Sequence, residues 1–262
     1  MNLPLYQADA FTDTLFKGNP AAVVPLESWL PRETMQAIAA ENNLAETAFF
    51  VKNGDAFDLK WFTPTVEVDL CGHATLATAK ILYEFLGYTD DEIRFATNSG
   101  RLTMQRNGDL LTLDFPADPP ALVSPSFHDE LTAALGVAPQ EVYAGKTDLM
   151  VILENEAAVA ALQPDFRALA QLKTRGVIVT APGESVDFVS RFFGPQSGID
   201  EDPVTGSAHT TLTPYWAHRL GKLQLTARQI SPRGGDLWLE LLGDRVLISG
   251  KAVVYLRGEM FV

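Results

Sequence analysis

A chain of 262 residues with an ordinary globular composition is long enough for one large or two modest domains with real cores. Twenty basic against thirty-three acidic residues leave a net charge of −13, which disfavours nucleic acid or an anionic membrane as partner. The one cysteine, Cys71, excludes an internal disulfide and a cysteine-rich metal cluster. The opening Met-Asn-Leu-Pro-Leu-Tyr has neither the basic start nor the apolar segment of a secretory signal. No apolar run is long enough to span a bilayer, so the default expectation is a soluble cytoplasmic protein.

Residues 3–10 read as a strand, followed by a turn-rich loop with Gly18-Asn19-Pro20 and a second strand over 21–24. Pro31 sits near the start of a helix running to about Asn42, where its missing N–H costs nothing. Glu46 then falls on a short bridge into a strand at 48–51, and its plainest reading is a solvated loop acid. From Phe57, apolar Phe57, Leu59 and Trp61 alternate with Asp58 and Lys60, as in a half-buried strand. The helix after Gly72 is different in kind. Between Ala74 and Leu86 its only formal charges are Lys80 and Glu84, so nearly every side must be enclosed, here by a curved sheet. Strands at 92–97, 100–106 and 109–115 supply that sheet, and the break Pro116-Ala-Asp-Pro-Pro120 marks a linker.

The second half repeats the plan. A helix is expected near 126–136, strands near 140–145 and 148–153, and a helix near 164–172. Strands at 176–181 and 186–193 lead to a helix after Gly206, in which Pro214 removes a hydrogen bond and should produce a kink. Strands at 223–229, 236–242 and 244–249 follow, and 253–262 reads as an extra strand returning to the first domain.

The halves also echo in detail. Trp61-Phe62-Thr63-Pro64 leads to Gly72 and Gly87, as Phe192-Phe193-Gly194-Pro195 leads to Gly206 and Gly221, with fifteen residues between the paired glycines each time. Gly100 and Gly108-Asp109 match Gly235 and Gly243-Asp244. Two copies predict a pseudo-two-fold pair rather than a solenoid. The expected fold is therefore α+β: residues 1–117 with 253–262 form one domain and 118–252 the other. Each is a curved, barrel-like sheet around a central helix, with the active site in the cleft between them.

A helix opening on a small residue presents free N–H groups and partial positive charge, suited to a carboxylate or an enolate oxygen. His73 and Ser207 occupy equivalent positions just inside the two paired helix starts. Glu201 is duplicated as Glu67 and reads as structural, whereas Asp202 aligns with Val68 and reads as functional, an acid–base partner for His73. Cys71 lies where thiol pKa values drop, but its counterpart is Thr205, which excludes a symmetric two-thiol epimerase. His73, His128, His209 and His218 form no metal-ligand spacing with a cysteine or carboxylate, and no phosphate loop or dinucleotide fingerprint is present.

Four stretches in order, Gly18-Asn-Pro-Ala-Ala-Val-Val, Asn43-Leu-Ala-Glu46-Thr, Leu70-Cys-Gly-His-Ala-Thr75 and Glu201-Asp-Pro-Val-Thr-Gly-Ser-Ala208, resemble the phenazine biosynthesis PhzF-like family across essentially the whole chain. That family is similar, more distantly, to diaminopimelate epimerase. The resemblance implies an isomerase without cofactor or metal, whose motif glutamate, matching Glu46, shuttles a proton between carbons of a dihydro-hydroxyanthranilate. It implies His73 and Asp202 as further catalytic groups, and Gly18, Asn19, Gly72, Thr205, Gly206 and Ser207 as substrate-binding residues. The expected partner is a small carboxylate, with a homodimer a possible assembly. An amino-acid epimerase or racemase using Glu46 and Asp202 as opposed bases is the alternative within enzymes. A non-catalytic metabolite-binding protein is the alternative outside them.

Overall fold

The computed structural model describes residues 1–123 and 128–262, so the first residues of the helix expected near 126 lie outside the described residues. The chain forms two compact units, Met1–Asp114 with Ser249–Val262, and Phe115–Ile248. The first strand edge of the Pro116–Pro120 break belongs to β8 (Leu110–Pro116), so chain contacts divide the units slightly ahead of the change in composition.

The first unit is built from β1 (Asn2–Ala10), β2 (Asn19–Leu26), β3 (Glu46–Asn53), β4 (Ala56–Phe62), β5 (Glu67–Val68), β6 (Glu92–Thr97), β7 (Gly100–Asn107), β8 and β18 (Ala252–Phe261). Its ladder runs β18, β1, β2, β3, β4, β6, β7, β8, and only the β2–β3 and β4–β6 pairs are parallel. The short β5 adds to β4. The second unit is built from β9 (Ala121–Leu122), β10 (Glu141–Ala144), β11 (Asp148–Ile152), β12 (Gly176–Pro182), β13 (Phe188–Gly194), β14 (Ile199–Asp202), β15 (Gln224–Gln229), β16 (Gly235–Leu242) and β17 (Arg245–Gly250). Its ladder from β9 through β10, β11, β12, β13, β15 and β16 repeats the same alternation, with β11–β12 and β13–β15 parallel and β14 added to β13. Two ladders with one sequence of directions are what a duplicated α+β mixed sheet requires.

Each unit has one interior helix. In the first it is α2 (Gly72–Phe85), whose residues from His73 to Ala79, with Ile81 and Leu82, are all buried against β1, β2, β3 and β18. Its interior hydroxyls are satisfied locally: Thr75 donates to the Cys71 carbonyl at 2.6 Å and Thr78 to that of Ala74 at 2.7 Å. Lys80 and Glu84, the two charges foreseen on one stripe, pair at 2.6 Å. In the second unit the interior helix is α6 (Gly206–Leu220), packed against β15 and β16.

Pro214 lies inside α6, and the helix is nonetheless continuous to Leu220. The carbonyl it leaves without an N–H, that of Thr210, accepts the backbone N–H of Asp118 at 3.0 Å. A partner from outside the helix thus offsets the hydrogen bond that the proline removes.

A second helical layer covers the other sheet face in each unit. Met35, Ile38 and Ala39 of α1 (Arg32–Asn42) pack on Val24, Phe49 and Phe62. In the second unit α3 (His128–Leu135), α4 (Glu156–Ala160) and α5 (Phe166–Leu169) cover Val142, Val177 and Phe193. Each fully buried Phe, Leu or Ile in these layers contributes roughly 1.5–3 kcal/mol. The helix expected near 164–172 is the shorter α5, and α4 is an additional helix that the sequence reading did not foresee. The Asn155 side chain caps α4 by accepting the Ala158 N–H, and Asp165 caps α5 by accepting from Arg167 and Ala168.

Candidate active site

Three segments converge at the start of α2. Gly18 enters β2 at φ +65°, and a Cβ there would sit 2.2 Å from the Ala10 carbonyl oxygen, so only glycine makes this turn. The turn sets Asn19 as the first residue of β2. The neighbouring parallel strand begins at Glu46, in register with Ala21, so Asn19 and Glu46 sit at the same end of adjacent strands. Glu46 is thus a strand residue and not part of a bridge, and its side chain is 13% exposed rather than solvated. His73, second residue of α2, completes the group.

The contacts centre on the His73 ring. Its Nδ1 lies 3.2 Å from the Asn19 amide nitrogen and 3.5 Å from Cys71 Sγ. Its Nε2 lies 3.1 Å from a carboxylate oxygen of Glu46, with the imidazole side chain only 7% exposed. That spacing suits an ion pair, yet neither atom has a hydrogen-bond partner among the described residues, so each is off the line needed to satisfy the other. Burial opposes a charged imidazole, but Cys71 and Glu46 raise its pKa well above the usual histidine value. The thiol is neutral at ordinary pH, so the carboxylate is the group that holds the proton on His73.

Cys71 corrects an expectation. Its thiol is pushed up to about 11, first by burial and then by the Glu46 charge, against a smaller lowering by His73. A helix N-terminus does not activate a thiol sealed from water beside a carboxylate. The grouping also corrects the survey of spacings along the chain: ligand atoms of Glu46, Cys71 and His73 all lie within 4.8 Å of one another. Glu46 arrives from another strand, so no local spacing could show it.

The second unit places Asp202 at the end of β14, Thr205 as N-cap of α6, and Gly206 and Ser207 as its first two residues. Here the polar groups are tied together. Thr205 Oγ1 donates to Asp202 at 2.6 Å, the Thr205 N–H donates to Gln229 Oε1 at 2.9 Å, and Gln229 Nε2 donates to the Asp202 carbonyl at 2.8 Å. Arg175 donates to Ser207 Oγ at 3.0 Å and is itself held by Asp148, to which its Nε donates at 2.8 Å. The sequence reading missed Gln229 and Arg175. Gln229 carries no local signal, whereas Arg175 directly precedes the wholly buried start of β12 and could have been suspected.

Neither helix has a side-chain N-cap bond or an acidic residue in its first turn. The duplicated glutamates lie on short strands, not loops, and each holds an arginine: Glu201 takes both Nε and Nη2 of Arg191 at 2.7 and 2.8 Å, and Glu67 takes Arg32 at 2.8 Å.

An uncharacterized isomerase of Pseudomonas aeruginosa is 53% identical over 260 residues, covering 99% of each chain. The crystal structure of a phenazine biosynthesis protein of the PhzF family from Enterococcus faecalis is similar at a TM-score of 0.97 and 49% identity, over 100% of both chains. A hydroxyproline epimerase from Agrobacterium vitis shares the fold at a TM-score of 0.60 and 11% identity, over 98% of this chain and 92% of its own. The sequence pattern of the phenazine biosynthesis-like proteins matches residues 8–258, so the chain belongs to that family.

Proposed function

We propose that the protein is a cofactor-independent isomerase that shifts a proton between carbons of a small carboxylate substrate. The observation that carries this reading is the buried Glu46–His73 pair, whose facing atoms lie 3.1 Å apart without a satisfied hydrogen bond. Relatives named as isomerases in Pseudomonas aeruginosa and Halalkalibacterium halodurans support the reaction class.

Glu46 takes the proton as the C–H bond breaks, the electron pair enters the adjacent π system, and the same carboxyl returns a proton to another carbon. The reaction is neutral in protons and electrons, so no redox partner is needed. His73 stabilises the ionised base before abstraction, while Asn19 fixes the ring from its other nitrogen. In the second unit, the proposed share of Thr205, Gly206 and Ser207 is anion binding by the start of α6, with Arg175 adding positive charge. Asp202 is proposed as a further acid.

A screen of amino and hydroxy acids by NMR in D₂O tests the proposal. Expected is deuterium entering carbon-bound positions with wild type and not with Glu46→Gln. Exchange with inversion at one carbon would favour an epimerase; exchange unaltered in Glu46→Gln would remove Glu46 as base.

A further inference from the structure

We infer that Cys71, His73 and Glu46 also form a binding site for a thiophilic divalent cation such as Zn²⁺, occupied in competition with proton transfer. The donor set is one thiol, one imidazole and one carboxylate, a combination that favours zinc or cadmium over magnesium or calcium. Tetrahedral zinc, with bonds of about 2.3 Å to sulfur and about 2.0 Å to nitrogen, holds those two atoms roughly 3.5 Å apart. Cys71 Sγ and His73 Nδ1 already stand at 3.5 Å.

The second observation is independent of the cysteine. His73 is 7% exposed, and the Glu46 oxygen facing its Nε2 lacks a hydrogen-bond partner among the described residues, which leaves that oxygen available to a metal held at Nδ1. Buried polar atoms left in that state have capacity for a ligand. All three donors fall within 4.8 Å; the Glu46 carboxylate turns from Nε2 to join a metal at Nδ1, and solvent or a small ligand fills the remaining position. On binding, the Cys71 S–H bond breaks, its proton leaves to buffer and the thiolate electron pair forms the metal bond. The Asn19 amide, 3.2 Å from Nδ1, turns aside. A metal held here removes both His73 and Glu46 from acid–base work, so the cation is an inhibitor and not a cofactor.

Titration of the full chain with Co²⁺ tests this without any substrate, and so stands or falls apart from the isomerase reading. Because the sequence has one cysteine, a thiolate-to-cobalt charge-transfer band can only report Cys71. Expected are that band and tetrahedral d–d absorption at one equivalent, both lost on adding Zn²⁺. Cys71→Ala should abolish the band, and Glu46→Gln and His73→Gln should each weaken Co²⁺ binding by at least about tenfold. If Cys71→Ala fails to fold, the Glu46→Gln affinity carries the test. Absence of the band in wild type, or unchanged affinity in both Glu46→Gln and His73→Gln, overturns the three-residue site.

Discussion

The starts of α2 and α6 are the same construction in different polar surroundings. Both helices open on glycine after a short strand, both are interior, and both send a side chain three residues on back to the N-cap carbonyl: Thr75 to Cys71, His209 to Thr205. Around α6 the polar atoms are knitted together, with Asp202, Thr205 and Gln229 bonded to one another. Around α2 a carboxylate and an imidazole face each other with hydrogen-bonding capacity to spare. A duplicated fold can thus tie the polar side chains before one helix together while a carboxylate and an imidazole at the other stay unsatisfied, although His209 Nε2 inside α6 also lacks a partner among the described residues.

The sharpest break of that asymmetry is Glu46→Gln. Once a substrate is in hand, its proton-transfer rate should fall by roughly 10²–10⁴, the range general acid–base groups supply, while affinity changes only a few-fold. Asp202→Asn should cost less in rate and more in stability, because Asp202 accepts the Thr205 hydroxyl. Equal rate losses in both variants would show that the two helix starts divide the chemistry evenly.

The duplicated glutamates offer a second contrast. Arg191 gives its Nε and Nη2 to Glu201 and its Nη1 to the Val159 and Leu162 carbonyls, with only 10% of its side chain exposed. Arg191→Met leaves the Glu201 carboxylate without its cation and removes a donor from the Val159 and Leu162 carbonyls, and should destabilise by about 3–5 kcal/mol. Arg32, 67% exposed, makes the matching contact to Glu67, and Arg32→Met should cost no more than about 1 kcal/mol. Urea midpoints of the two variants decide it, and similar losses would refute the distinction.

The sequence was informative where local rules sufficed and silent where register decided. Paired glycines exposed the duplication, and the near absence of charge in α2 announced an interior helix. The proline run placed the break within a few residues of the contact boundary. By contrast, Glu46 meets His73 only because β2 and β3 pair in parallel with Ala21 opposite Glu46, a long-range fact with no local trace. The same holds for Cys71, whose environment reverses the effect expected of a helix start. The continuity of α6 through Pro214 depends on an N–H 92 residues or more away in sequence, that of Asp118.

His209 gives a pH-dependent contrast with its counterpart Thr75. Burial lowers its pKa to about 4, against a smaller upward pull from the Thr205 carbonyl. As pH falls from about 6.5 toward about 4, the unfolded chain gains a proton that the folded chain refuses, so stability declines over that window by about 3 kcal/mol. His209→Thr keeps the helical back-bond and removes the titrating ring. It should be less stable than wild type at pH 7 because the space beside Phe188 is left underfilled. The gap should then narrow steadily between pH 6.5 and 4.5 in denaturant titrations. A constant gap would mean that His209 titrates normally.

The smallest expected effect concerns Pro214. In an isolated helix, proline costs about 3 kcal/mol relative to alanine, through one lost hydrogen bond and a ring clash. Here the Thr210 carbonyl already receives the Asp118 N–H, so alanine at 214 would bring a donor to an acceptor that is occupied. The unfolded chain of Pro214→Ala would also be freer, which works against the variant. The two effects leave a net change within about 1 kcal/mol of zero, measurable as a small shift in Tm. Stabilisation by the full helix value would show that the Asp118 contact does not compensate, and that this copy, like the α2 copy with Lys80 at the matching position, is limited by local propensity alone.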